Sequence, residues 1–207
     1  MIKKISILFS FLMLLLQGCS ALDSRVVAVD SYSTMQAYGG TYYLSTNTPG
    51  LQLQQQSFEV ILQNMLQDKG YTRTFNQKNA LYNIVYNYKI KGPYTSIESY
   101  PAPVNPWWNG PYGGIYNGFY GDMWMNSISA STYFVKRLEL SAFTKNNSAV
   151  WQVVGSLKSD NSDPRSSFPY LVSAISNYVN ANSNQVVYLN VEENSQTGQY
   201  TATPSMW

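Results

Sequence analysis

Residues 80–90 read Ala-Leu-Tyr-Asn-Ile-Val-Tyr-Asn-Tyr-Lys-Ile, and their alternation puts Tyr82, Ile84, Tyr86, Tyr88 and Ile90 on one side and Asn83, Asn87 and Lys89 on the other. A period of two is that of a strand with one buried and one wet face. The fold must therefore contain a sheet, and something must cover one side of it.

Two helical stretches can do so. Over 51–69, Phe58, Ile61, Leu62, Met65 and Leu66 recur at the three-and-four spacing of one helix face, with Gln54, Gln55, Gln63 and Gln67 on the other. Gly70 stands where a left-handed cap belongs. Over 168–180, Leu171, Val172, Ile175, Tyr178 and Val179 form a second stripe, and Pro169 is tolerated in the first turn.

Further strands are expected at 25–32 and 41–45, with a hairpin of 132–144 and 149–159 around Asn146-Asn147-Ser148, which is turn chemistry; 185–191 reads as a last strand or as an extended segment covering an edge. The hairpin turns Leu138, Leu140 and Ala142 one way, with Trp151, Val153 and Leu157 packing nearby. These elements predict one α+β domain over 25–191: a mainly antiparallel sheet of four to six strands with two helices packed on one face. The polar residues 192–207 are expected to fray.

Residues 92–126 break the pattern. They hold Trp107, Trp108, Tyr112, Tyr116, Phe119, Tyr120 and Trp124 among five prolines and many glycines, so they read as a long loop with no period. Three readings fit it. It covers a sheet edge with its own aromatics packed together; it binds a protein or the bilayer interface, where Trp and Tyr are favoured; or it stacks glycan rings on Trp107, Trp108 or Trp124.

The chain has no histidine and one cysteine, Cys19. Serine and cysteine nucleophile systems that need imidazole, thiolate or imidazole zinc sites, and disulfide exchange are thereby excluded. Carboxylate chemistry, a lysine base or binding alone remain. Asp160-Asn161-Ser162-Asp163 lacks the glycine and distal glutamate of a calcium loop and reads as a turn before the second helix. Adjacent Glu192 and Glu193 face opposite ways when extended, which argues against a paired acid and base. Lys136-Arg137 with Glu139 reads as a solvated strand face with one cross-strand partner. No catalytic residue, metal site or bound cofactor is expected.

The first residues explain the cysteine. Met1-Ile2-Lys3-Lys4 is basic, residues 5–16 are apolar, and Leu16-Gln17-Gly18-Cys19 closes the run. This is a secretory leader, too short to span a bilayer comfortably. The closing tetrapeptide resembles the lipobox of bacterial lipoprotein precursors. That resemblance implies cleavage between Gly18 and Cys19, removal of 1–18, and covalent lipid on Cys19 with 19–24 as a tether. Several acyl chains on one residue make a stable anchor. Ser20, in place of aspartate, favours the outer membrane if the source is Gram-negative.

The chain carries 13 basic and 11 acidic residues; losing Lys3 and Lys4 with the leader leaves eleven of each. No basic patch for nucleic acid follows.

The order of elements resembles the domain-of-unknown-function family 4136 of bacterial lipoproteins over about 25–180. The motifs are Thr41-Tyr42-Tyr43-Leu44, Asp68-Lys69-Gly70-Tyr71, residues 80–88, and the Leu138-Glu139-Leu140 and Val150-Trp151 hairpin. The resemblance brings no catalytic residue and implies a Gly- and Tyr-rich insert at 92–126. The expected function is a periplasm-facing, lipid-anchored binding or structural domain whose partners are the membrane and another envelope protein. The alternative is action on cell-wall glycan through Glu98 and Asp122.

Overall fold

The strand periodicity of 80–90 becomes the centre of an eight-stranded sheet. The structure is a computed structural model and describes residues 24–34, 39–48, 52–103 and 124–205. The strands are β1 (Ser24–Ser33), β2 (Gly40–Thr46), β3 (Tyr71–Arg73), β4 (Tyr82–Pro103), β5 (Trp124–Thr144), β6 (Ala149–Ser159), β7 (Val187–Asn194) and β8 (Gln199–Pro204). They lie in the order β3-β2-β4-β5-β6-β1-β7-β8.

The sheet is mixed: β2 pairs in parallel with both β3 and β4, and the other pairings are antiparallel. This overturns the expected mainly antiparallel sheet of four to six strands. Helix α1 (Gln52–Asp68) is the reason, because it carries the chain back from the end of β2 to start β3 beside it in the same direction. A crossover of that kind is what a parallel neighbour requires. At the other edge, residues 199–204, expected to fray, pair with β7 from Leu189 to Asn194.

One face of the sheet holds the core. Val27 and Val29, Tyr42 and Leu44, Tyr82, Ile84, Tyr86 and Tyr88, Leu138 and Leu140, and Leu189 and Val191 are all buried on it. Helix α1 adds Phe58, Leu62, Met65 and Leu66, and helix α2 (Phe168–Ser176) adds Phe168, Leu171, Val172 and Ile175. Two aromatic clusters fasten the layers. Phe58 stacks on Phe168 with centroids 3.8 Å apart, and Tyr88 meets both rings edge-on at 5.6 and 5.5 Å. Tyr71 lies edge-on to Tyr42, Tyr82 and Trp151, and its hydroxyl accepts the Trp151 Nε1–H at 3.0 Å. Each such aromatic pair adds about 0.5–1.5 kcal/mol beyond burial.

Close approach explains one glycine. A Cβ on Gly155 would stand 2.8 Å from Ile175 Cγ2, so α2 can lie against β6 only where the side chain is missing. At the end of α1, Gly70 takes φ +83°, the left-handed cap read from the sequence.

Candidate interaction site

Beyond the helices the two longest strands continue alone. β6 pairs β5 only from Phe134 onward, and β2 pairs β4 only as far as Tyr86. Past a register shift between Lys91 and Tyr94, β4 and β5 run together as a two-stranded ribbon, from the pair Tyr94 and Tyr133 to the pair Pro103 and Trp124. Residues 92–126 were expected to be a structureless loop; paired strands occupy both ends of that stretch instead. The composition hid this, since prolines stand in β4 itself. Pairing such as Thr95 with Thr132 spans residues far apart in sequence, which no local pattern records.

The ribbon is wet. Tyr94, Thr95, Ile97 and Glu98 are exposed, and so are residues 129–132; Ile97 is 71% exposed. At its base the Tyr133 ring lies 5.5 Å from Tyr94 and beneath the Lys158 ammonium at 4.9 Å.

Below the base, the sheet face opposite the helices carries a trough of about 570 Å³ lined by Ser24, Arg25, Val26, Ala28, Val135, Ser156, Leu157, Lys158 and Tyr188. Val26 and Tyr188 are exposed within it. Its floor is apolar and small, with one ammonium at the side nearest the ribbon.

On the helix face, at the same end of the sheet, lies a cluster that the sequence reading misplaced. Lys136 is not on a solvated strand face but 0% exposed. Its Nζ donates to Asn161 Oδ1 at 3.1 Å, to the Asp163 carbonyl at 2.5 Å and to Ser167 Oγ at 2.7 Å. Burial pushes its pKa down, with Arg25 adding to the effect and Asp163 and Asp160 opposing it. All three ammonium protons are spent on these acceptors, so Lys136 works as a pin holding the loop before α2 rather than as a base. Arg25 braces the same loop: Nη1 donates to the Ser166 carbonyl at 2.9 Å, and the guanidinium lies 4.5 Å from the Tyr170 ring centroid. The signal was present, because 136 has the parity of Leu138 and Leu140, both fully buried. Arg137 has the opposite parity and is exposed; it meets Glu139 on its own strand at 3.8 Å, while the cross-strand partner of Glu139 is Gln152 at 2.6 Å.

The remaining candidates separate. Asn161 and Asp163 accept backbone N–H groups two residues on, the turn chemistry expected of that stretch, and Arg165 holds the Asp163 carboxyl below its ordinary range. Glu193 accepts from the Tyr170 hydroxyl at 3.1 Å, whereas Glu192 accepts from Asn190 Nδ2 at 3.0 Å, so the two face apart. Among the described residues no group of three or more His, Cys, Asp or Glu could hold a metal ion, and no helix is long and apolar enough to cross a membrane. Glu98 stands exposed on the ribbon opposite Ser129, and Asp122 lies outside the described residues. Gly18, Cys19, Trp107, Trp108, Tyr112, Tyr116, Phe119 and Tyr120 also lie outside them, and Trp124 opens β5.

No protein-family model and no curated protein matches the chain, so its resemblance to family 4136 rests on the quoted motifs. Among solved structures it is similar to a PDZ domain protein from Parabacteroides distasonis, at 10% identity and TM-score 0.39. That match covers 83% of this chain, which spans 40% of the length of that one. It is also similar to the PelC dodecamer from Paraburkholderia phytofirmans, at 12% identity and TM-score 0.39, over 76% of this chain and 98% of that one. Neither likeness is close enough to carry a function.

Proposed function

We propose that this protein is an envelope lipoprotein, held to the membrane by lipid on Cys19, whose domain binds another envelope component and does no catalysis. In a Gram-negative cell, Ser20 directs it to the periplasmic face of the outer membrane. One shared end of the sheet carries the reading. Ile90, Lys136, Leu157, Val27 and Leu189 lie in one row across the strands. From that row, Ser24 and the ribbon depart in the same direction.

Four residues separate Cys19 from Ser24, where β1 begins. They reach no more than about 18 Å. The ribbon runs roughly 30 Å past the level of Ser24. A lipid on Cys19 therefore brings the ribbon to the headgroup layer, where it lies along the surface, and tyrosines such as Tyr94 and Tyr133 suit that boundary. The trough at the ribbon's base faces the same region and offers a partner a small apolar floor beside the Lys158 ammonium.

Cys19→Ala tests the anchor. The variant is expected to leave the membrane fraction, or to keep its leader, and to take up no labelled palmitate. Undiminished labelling and sedimentation would refute the proposal.

A further inference from the structure

The even balance of charge over the whole chain hides an uneven face. On the side of the sheet away from the helices, the strand register sets two rows of residues side by side at the end where the ribbon leaves. One row runs Lys89, Arg137, Ser156, Ala28 and Tyr188; in the next, toward the ribbon, Lys91 pairs with Val135 and Val135 with Lys158. Lys89, Arg137 and Lys158 each follow a residue buried in the core, Tyr88, Lys136 and Leu157, so they face the other way, and Lys91 shares the parity of Lys89. All four are exposed.

Little on the face balances them. Among the described residues no carboxylate pairs with Lys89, Lys91 or Lys158, and Arg137 has only Glu139 at 3.8 Å. The other acids of this face stand one row deeper, where Asp30 and Glu139 flank Val154, or across on β7, where Glu192 pairs with Ser24. Lys89 and Arg137 are directly opposed, and like charges in that position destabilise a sheet. Packing gives no reason for the grouping, because none of the four side chains fills the core.

We infer that this face docks on anionic phospholipid headgroups. The cations spread over three neighbouring strands, about 10 Å across the sheet, which suits an array of headgroups better than one small anion. The trough beside them adds exposed Val26 and Tyr188, an apolar and an aromatic group suited to the headgroup boundary. Ser24 lines the same trough, so the chain leading back to Cys19 leaves from the docking face. A chain tethered there lays this face on the bilayer and turns the helices away from it. The inference deepens the reading of an anchored envelope protein by giving its orientation, but the surface needs no lipid on Cys19 in order to bind.

Residues 20–207, which keep every strand and helix of the fold and carry no lipid, test it by sedimentation with vesicles. Their formal charge is zero, so net attraction does not draw them. They should bind vesicles of equal parts phosphatidylglycerol and phosphatidylcholine, come off at high salt, and ignore phosphatidylcholine alone. Lys89→Gln, Arg137→Gln and Lys158→Gln should each weaken binding about fivefold, the effect of one cation at an anionic surface, with no loss in the unfolding midpoint. Lys89→Arg should keep the binding. Lys145→Gln, in the turn between β5 and β6 at the far end of the hairpin, should change nothing. Equal binding to both kinds of vesicle, or equal losses at Lys145 and Lys89, would overturn the inference. So would no binding at all, which would leave the cations to an acidic protein. Because 20–207 lacks Cys19, none of these failures touches the anchor, and vesicle binding by this chain stands even where Cys19→Ala refutes the anchor.

Discussion

β4 and β5 each belong to two structures at once. From Tyr82 to Lys91 and from Phe134 to Thr144 they sit mid-sheet, with β2 along the first part of β4, β6 against β5, and both helices overhead; from Tyr94 to Pro103 and from Trp124 to Tyr133 they have only each other. β4 and β5 pair with each other in both halves, but only the covered half adds flanking pairings with β2 and β6. Side chains divide the halves further. The covered half turns Tyr82, Ile84, Tyr86 and Tyr88 into the core, while the ribbon offers Thr95, Ser131 and Thr132 to water. Stability should therefore reside in the first half and surface properties in the second, and substitutions in each half can break that division.

The largest effect is expected at Lys136. Lys136→Ala leaves Asn161, the Asp163 carbonyl and Ser167 facing an empty buried space. Leaving buried polar groups unpaired costs about 1–3 kcal/mol for each one that water does not reach. Lys136→Met, which fills the volume but donates no hydrogen bond, should recover only the part of the loss that comes from the cavity. Denaturant midpoints measure both, and a loss under about 1 kcal/mol for the alanine variant would show that the pin does not hold the loop.

Next comes Tyr71→Phe, which strands the Trp151 indole N–H in the core. An unpaired buried donor costs about 1–3 kcal/mol. Tyr94→Phe is the ribbon counterpart. Tyr94 is exposed and keeps its ring contact with Tyr133 in the variant, so the midpoint should not move.

How far the sequence disclosed these features depended on range. The helix stripe of Phe58, Leu62, Met65 and Leu66 and the Gly70 cap were legible because both are written within one or two turns. β3 was not, since Tyr71, Thr72 and Arg73 hold too few residues for any period and gain their place from β2. Lys136 was legible by parity and misread by charge: its three acceptors come from residues 161–167, which no strand pattern connects to it. The ribbon was hidden because proline and glycine near its strands signal loops, whereas Ile97 meets Ala130 only once the chain has turned back.

A smaller effect of opposite sign is expected at Tyr88. Its hydroxyl is buried with no hydrogen-bond partner among the described residues, and burial, with Asp163 adding, raises its pKa well above the ordinary 10.0. Tyr88→Phe removes an unpaired polar group and should stabilise the fold by up to about 1 kcal/mol at neutral pH. A raised acid keeps its proton in the folded state. Its contribution is intact below pH 10.0 and is lost as the pH climbs toward the folded value. Tyr42, Tyr71 and Tyr86 are raised by burial too, so wild type should lose stability above pH 10, and Tyr88→Phe should flatten part of that fall. An unchanged alkaline limb would mean that the hydroxyl finds water in solution.

The smallest effect is expected on the ribbon itself. Glu98 is exposed, stands opposite Ser129 and has no helix above it, so Glu98→Ala should shift stability by no more than about 0.5 kcal/mol, the usual range for a surface site. The denaturant slope should not change either, because the substitution alters little of the surface released on unfolding. The same replacement removes the only formal charge on either ribbon strand. If the two halves are divided as their side chains indicate, Glu98→Ala leaves the unfolding midpoint in place. A loss of more than about 1 kcal/mol at this one residue would tie the ribbon to the core and remove the distinction between the halves.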